Sequence, residues 1–246
     1  MANELIFVIH FLVSGALLLG AARLGRVWLT ALIVTCTILM NMAVTKQMQL
    51  FTLNVTGGNV LFATVFLAND VLNEHYGRKA ARTAVMIGFA SGLAVIVLMV
   101  PMLQYLPSRS DDAQRHLEYF FNVATYPRIV IASMLSYVLS QMMDAHLYDF
   151  IHHRTGTKRL LWLRSNASTW ISQAFDTVFF TTVGLTGSAS VIRSWPEWVD
   201  AVLFAYLIKI IVAAADTPFL YLTTSKMLCP RDSRRAESSL RKGLAR

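Results

Sequence analysis

The chain has 246 residues, 55% hydrophobic and 15% charged, with a formal net charge of +8, and its mean hydropathy is +0.51. Soluble domains carry about 25% charged residues. The balance therefore excludes an ordinary water-soluble enzyme and predicts one all-α, polytopic membrane bundle of six to seven transmembrane helices, at about 20 residues per span.

Seven apolar segments follow in chain order: Leu5–Ala22, Val27–Val44, Asn59–Asn73, Ala80–Leu103, Arg128–Phe150, Ser165–Gly187 and Trp198–Leu222. The start, Met1-Ala2-Asn3-Glu4, lacks the basic region of a cleavable signal, so the first segment is expected to remain. The third is short for a span. The mixed stretch Lys46–Gly58 before it reads as a re-entrant or interfacial turn. Gly88 and Gly92 in the fourth are spaced for close helix packing. Cys36 lies in an apolar segment and Cys229 in a basic tail, so no disulfide is expected.

Lys and Arg cluster between alternate segments. Arg23 and Arg26 stand in the first connection, Arg78, Lys79 and Arg82 in the third, and Arg154, Lys158, Arg159 and Arg164 in the fifth, with seven more in the tail. The other connections carry Asp111, Asp112, Glu118, Glu197 and Asp200. The positive-inside rule then places the N-terminus outside and the C-terminus in the cytoplasm. Residues 1–225 form the membrane domain and residues 226–246 a basic cytoplasmic tail. A bias that tracks the loops argues for the lipid bilayer as the partner, not nucleic acid.

The polar residues inside the segments carry the functional argument. A charge in hydrocarbon costs at least about 2.5 kcal/mol, so several of them on different helices are expected around a polar substrate or pathway. Residues three and four apart share a helix face. Ser133, Tyr137, Gln141 and Asp144 make one stripe; Thr169, Gln173 and Asp176 a second; Lys209, Ala213 and Asp216 a third; Asn59, Ala63, Phe66, Asp70 and Asn73 a fourth. Ser140-Gln141-Met142-Met143-Asp144 also matches Ser172-Gln173-Ala174-Phe175-Asp176. Two readings stand: an inverted repeat, as in transporters with antiparallel halves, or one packing need met twice. At 1.5 Å per residue, Asp70, Asp176 and Lys209 each fall roughly 16 Å from the outer end, near mid-membrane.

The run Phe66-Leu67-Ala68-Asn69-Asp70-Val71-Leu72-Asn73-Glu74-His75-Tyr76-Gly77 resembles the signature of the queuosine-precursor transporters, the vitamin uptake transporter family. Arg128 with Ala132-Ser133, Gln141-x-x-Asp144, Ser168-Thr169 with Asp176-Thr177, and Lys209 followed by Asp216-Thr217-Pro218 extend the resemblance from Asn41 to Tyr221. It implies a bacterial inner-membrane importer of deazaguanine bases, the cyano and aminomethyl precursors of the tRNA nucleoside queuosine. No cofactor is implied. One carboxylate can accept both the ring N–H and the exocyclic amino group of such a base. Asp144, Asp176, Gln141 and Gln173 are therefore expected at the base edge, with Asp70, Asn59 and Asn41 as second choices. Lys209 is a further donor, and Tyr137, Trp170 or Phe66 would face the ring.

Each residue also has a structural reading. Asp70 and Glu74 can cap a helix and pair with Arg78 or Lys79, Lys209 can pair with Asp176 or Asp216, and Gln141 and Gln173 can bond to each other. His152 and His153 lack a third ligand at metal spacing, so no metal site is expected. Two alternatives to a stand-alone importer remain. One is the substrate-binding membrane subunit of an energy-coupling-factor-type vitamin importer; the chain has no Gly-x-x-x-x-Gly-Lys loop of its own. The other is an intramembrane aspartyl protease, against which the absent Gly-x-Gly-Asp motif counts.

Overall fold

In the computed structural model, residues 2–43, 46–50, 53–108, 111–121, 127–155, 158–186, 192 and 194–225 are described. The tail 226–246 lies outside them. Among the described residues, eight α-helices and one β-hairpin occur in the order α1 (Ala2–Leu24), α2 (Arg26–Ala43), β1 (Gln47–Leu50), β2 (Leu53–Thr56), α3 (Asn59–Tyr76), α4 (Arg78–Met102), α5 (Ala113–Phe121), α6 (Pro127–Thr155), α7 (Leu161–Phe180) and α8 (Trp195–Thr223). A five-residue π-helical turn, Thr181–Leu185, continues α7.

Among the described residues, four helices are long and apolar enough to cross a membrane: Asn3–Leu24, Arg26–Ala43, Arg78–Met102 and Trp195–Thr223. Their exposed large side chains, such as Leu5, Leu12, Val97, Leu98 and Ile211, suit contact with lipid tails. The remaining long helices, α3, α6 and α7, hold most of the buried polar residues. Helix α3 is the most enclosed, with every residue from Ala63 to Asn73 buried. It therefore forms the axis of the bundle.

The seven apolar segments correspond to α1–α4 and α6–α8, with ends within a few residues. Two elements differ from expectation. The stretch expected to form a re-entrant or interfacial turn contains an antiparallel hairpin, with Gln47 opposite Thr56 and Leu50 opposite Leu53. Helix α5 was not anticipated because it is short and polar overall; Asp111 starts it by accepting the Ala113 N–H at 2.8 Å.

Gly77 separates α3 from α4 at φ 78°, a conformation that favours glycine. It allows Arg78 to begin a new helix directly after Tyr76. Gly88 has a different role. A Cβ there would lie 2.8 Å from Tyr137 Oη and 3.3 Å from Thr37 Oγ1, so glycine is what admits α6 close to α4.

The two ends of the bundle differ. One end holds Arg78, Asp149, His152, Arg154, Arg159 and Arg164; the other holds the hairpin, α5 and the stacked Trp195 and Trp198 rings, 4.8 Å apart.

Candidate functional site

Two polar regions occupy the bundle, one above the other. The first is a cavity of about 200 Å³ at the hairpin end, walled by α2, α3, α6, the end of α7 and the first half of α8. Asn41, Asn59, Ser133, Tyr137, Asp176 and Lys209 line it, together with the rings of Phe62 and Phe180. Lys209 Nζ donates to Asp176 Oδ2 at 2.7 Å and to Thr177 Oγ1 at 3.2 Å. It also sits 4.6 Å from the centroid of the Phe62 ring. Of the two partners expected for Lys209, the structure thus selects Asp176 and not Asp216. The other oxygen of Asp176 accepts from Ser136 Oγ at 2.6 Å and stands 3.4 Å from Ser140 Oγ. A relay braces the far wall: Asn41 Nδ2 donates to the Thr37 carbonyl at 2.8 Å, and Thr37 Oγ1 to Tyr137 Oη at 3.2 Å. The π-helical turn contributes Thr181 and Leu185. Such turns are frequent at functional sites.

The second region lies toward the basic end and is closed. Asp144 is fully buried, with Thr169 Oγ1 at 3.3 Å and Ser172 Oγ at 3.2 Å from its Oδ1. Ser168 stands against it, and so does the carboxyl group of Asp70. Ser165 Oγ donates to Asp70 Oδ2. Gln141 and Gln173 are buried here, but they do not bond to each other: both amide atoms of Gln141 and the Oε1 of Gln173 have no partner. The amides therefore do not act as interhelical glue for one another.

The two regions share a construction. Ser136 and Ser140 of α6 reach Asp176 of α7, while Ser168 and Ser172 of α7 reach Asp144 of α6. Each Ser-x-x-x-Ser-Gln-x-x-Asp run thus gives hydroxyls to the carboxyl group of the other. Ser136 and Ser168 were not among the expected site residues. The signal for them was present, since each precedes its Ser-Gln-x-x-Asp by the same spacing.

Below the second region, Glu74 gathers three side chains. Arg164 Nη2 lies 2.5 Å from its Oε1, and Tyr148 Oη and His152 Nδ1 lie 2.8 Å and 3.3 Å from its Oε2. Glu74 does not pair with Arg78 or Lys79 as the sequence suggested. The last turn of α3 faces inward, whereas Arg78 begins α4 beyond the Gly77 break and reaches Asp149 at 3.5 Å. The structure brings Trp170 to neither region. Its side chain is on the outer surface, and its carbonyl accepts from Tyr206 Oη at 3.0 Å. Phe66 is buried beside the inner region.

Comparison with known proteins adds a family. The family model described as "Putative vitamin uptake transporter" matches residues 56–223. A "Probable queuosine precursor transporter" of Bacillus subtilis (strain 168) is 37% identical over 227 residues, covering 92% of this chain and 94% of that protein. The "Queuosine precursor transporter" of Escherichia coli (strain K12) is 25% identical over 198 residues, covering 80% and 85%. A "Probable queuosine precursor transporter" of Haemophilus influenzae is 22% identical over 162 residues, covering 66% and 65%. No solved structure matches the chain.

Proposed function

The chain belongs to the vitamin uptake transporter family, a family of transporters and not of enzymes, and from that premise we propose that it is a multi-pass membrane importer of queuosine precursors, the cyano and aminomethyl deazaguanine bases. The observation that carries this reading is the Asp176–Lys209 pair in the wall of a small cavity between membrane-length helices.

A carboxylate has about four lone-pair sites and an ammonium three donors. Asp176, which already accepts from Lys209, Ser136 and Ser140, therefore retains one acceptor site, for the ring N–H or the amino group of the base. Lys209, with two donors committed, retains one for the carbonyl. Asn41 and Asn59 offer further amide donors, and Tyr137, Phe62 and Phe180 offer apolar surface to a flat ring. Buried hydrogen-bonding sites of this kind reject analogues strongly, because a mismatched group leaves polar atoms unpaired. Asp144, with Gln141 and Gln173, is the counterpart that the base meets when the bundle opens the other way. The reciprocal serine–aspartate bonds support reading α6 and α7 as an inverted repeat, with alternating access about that axis.

Seven spans follow if α3, α6 and α7 cross together with the four apolar helices; the 18 residues of α3 reach about 27 Å. The basic end then faces the cytoplasm, the N-terminus lies outside and the cavity opens outward. Cysteines placed at Asp112 and Glu197 should react with an impermeant thiol reagent from outside, and one at Arg159 should not. Labelling of position 159 from outside would reverse the orientation.

The decisive experiment measures queuosine in tRNA of a precursor-synthesis mutant fed each base, with and without this chain as the only added gene. Restored queuosine is expected. Its absence, with the protein shown in the membrane, refutes the reading as a stand-alone importer.

A further inference from the structure

Three carboxyl groups of the bundle have no cation beside them. Lys209 is engaged by Asp176 and Arg164 by Glu74. Asp70, Asp144 and Asp216 are buried, and among the described residues no ion pair reaches any of them. Ionised carboxylates at membrane depth are costly and are normally paired. Something other than a side chain must therefore supply positive charge to this part of the protein.

The structure shows where. A chamber of about 10 Å³ lies between α3, α7 and α8, lined by Asp70, Ser165, Thr169, Gln173 and Asp216. That is roughly the space of one water molecule. Asp70 Oδ1 and Gln173 Oε1 are buried oxygens that receive no donor among the described residues. The donor set consists of carboxyl, hydroxyl and amide oxygens, with no sulfur or imidazole, so it suits a hard cation. The chamber has no room for the several waters that a small divalent ion such as Mg²⁺ keeps, which favours a single positive charge. The surrounding charged and titratable groups are accounted for. Glu74 on α3 is held by Arg164, and Tyr148 on α6 bonds to Glu74, with His152 on its far side. Asp144 faces Asp70 from α6, and Asp216 comes from α8.

We propose that this chamber binds one monovalent cation, a sodium ion or a proton, whose entry drives movement of the substrate held in the larger cavity. Lys209 already supplies the outer carboxylate with its counter-charge, so the inner carboxyls are the ones that exchange theirs. The driving half of the proposal rests on the uptake reading above; the binding half does not.

The test uses the full chain in proteoliposomes. Counterflow of labelled deazaguanine base is measured first, without gradients. Initial uptake is then measured with an inward sodium gradient at equal pH, and with an inward proton gradient in sodium-free buffer. One gradient should raise the initial rate about fivefold or more, a typical coupling between two sites, and which one does so identifies the cation. Asp216→Asn should keep counterflow and lose the acceleration; Ser165→Ala serves if that variant does not fold. Counterflow with no response to either gradient overturns the proposal. Absent counterflow counts against the uptake reading instead. The cation is then sought in unfolding temperatures of detergent-purified protein, in sodium against choline chloride and at pH 6 against pH 8. A response present in the unmodified chain and lost in Asp216→Asn supports the chamber. Identical behaviour of the two proteins overturns it.

Discussion

Asp176 and Asp144 stand at the same place in two matching runs, yet their surroundings diverge. Each receives two serine hydroxyls from the other helix. What differs is the residue that a third helix adds. Helix α8 brings Lys209 to Asp176, while α3 brings Asp70 to Asp144. One carboxylate becomes half of an ion pair beside a cavity; the other becomes half of a carboxyl pair in a closed interior. The lesson is that a repeated frame does not fix chemistry. A single facing side chain pairs one carboxylate with a cation beside a cavity and sets the other against a second carboxyl group in a closed interior.

The strongest way to break this comparison is to remove the ion pair. Asp176→Asn keeps the shape but offers an amide donor where the base needs an acceptor, and it strands Lys209. Uptake should fall by about 100-fold or more, and stability by roughly 3–5 kcal/mol, the usual cost of stranding one partner of a buried pair. Lys209→Met should show a similar loss of stability. The double variant Lys209→Met with Asp176→Asn should recover much of it without recovering uptake. Normal uptake by Asp176→Asn would move the substrate away from the cavity. Additive losses in the double variant would show that the two side chains are not coupled.

The next test asks whether the two copies are equivalent in their hydroxyls. Ser136 Oγ lies 2.6 Å from Asp176, whereas Ser172 Oγ lies 3.2 Å from Asp144. Hydrogen bonds to charged groups contribute about 1.5–3 kcal/mol. Ser136→Ala should therefore reduce uptake by about tenfold or more, and Ser172→Ala, whose longer bond falls in the ordinary range of about 0.5–1.5 kcal/mol, by about threefold. Equal losses, measured on matched amounts of protein, would mean that distance does not rank the bonds and that both carboxyls meet the substrate alike.

Much of this arrangement was legible from residues alone, because bilayer physics leaves few choices. Long apolar runs give helices, and loop charge gives an orientation to test. Polar stripes at helical spacing mark the interior: Asp70, Gln141, Asp144, Gln173 and Asp176 are all buried. The hairpin and α5 were not legible, since short polar elements have no strong period. Pairing was only partly legible. Spacing along one helix places Lys209 and Asp216 on a shared face, but the identity of Lys209's partner depends on how far α8 slides against α7. The split between an outer and an inner region depends on helix register too. Glu74 was misread for a related reason: its neighbours in sequence, Arg78 and Lys79, lie past a glycine that redirects the chain.

The inner end offers a smaller contrast with the outer pair. Glu74 is more exposed than Asp176, and it gathers a guanidinium, a phenol and an imidazole where Asp176 gathers an ammonium and two serine hydroxyls. Tyr148→Phe removes a single hydrogen bond, at a cost of about 1 kcal/mol. Stability should fall by that amount while substrate affinity stays the same. A marked change in affinity would connect this inner end directly to the cavity.

The smallest expected effect concerns Trp170, the aromatic residue on α7 that sequence reasoning set against the base. Gln173 and Asp176 on the same helix point inward, whereas the Trp170 ring lies on the outer surface and its backbone carbonyl accepts from Tyr206. A substitution that keeps an apolar ring in lipid removes neither contact. Trp170→Phe should therefore change the KM for uptake by less than about twofold, in line with surface substitutions within about 0.5 kcal/mol. Tyr137→Leu, which removes a ring from the cavity wall, should raise KM severalfold, as expected for loss of an aromatic contact contributing about 0.5–1.5 kcal/mol. The opposite ranking would place the base against the outer face of α7. In that event neither region of the bundle could be its binding site, and the contrast between the two carboxylates would concern folding alone.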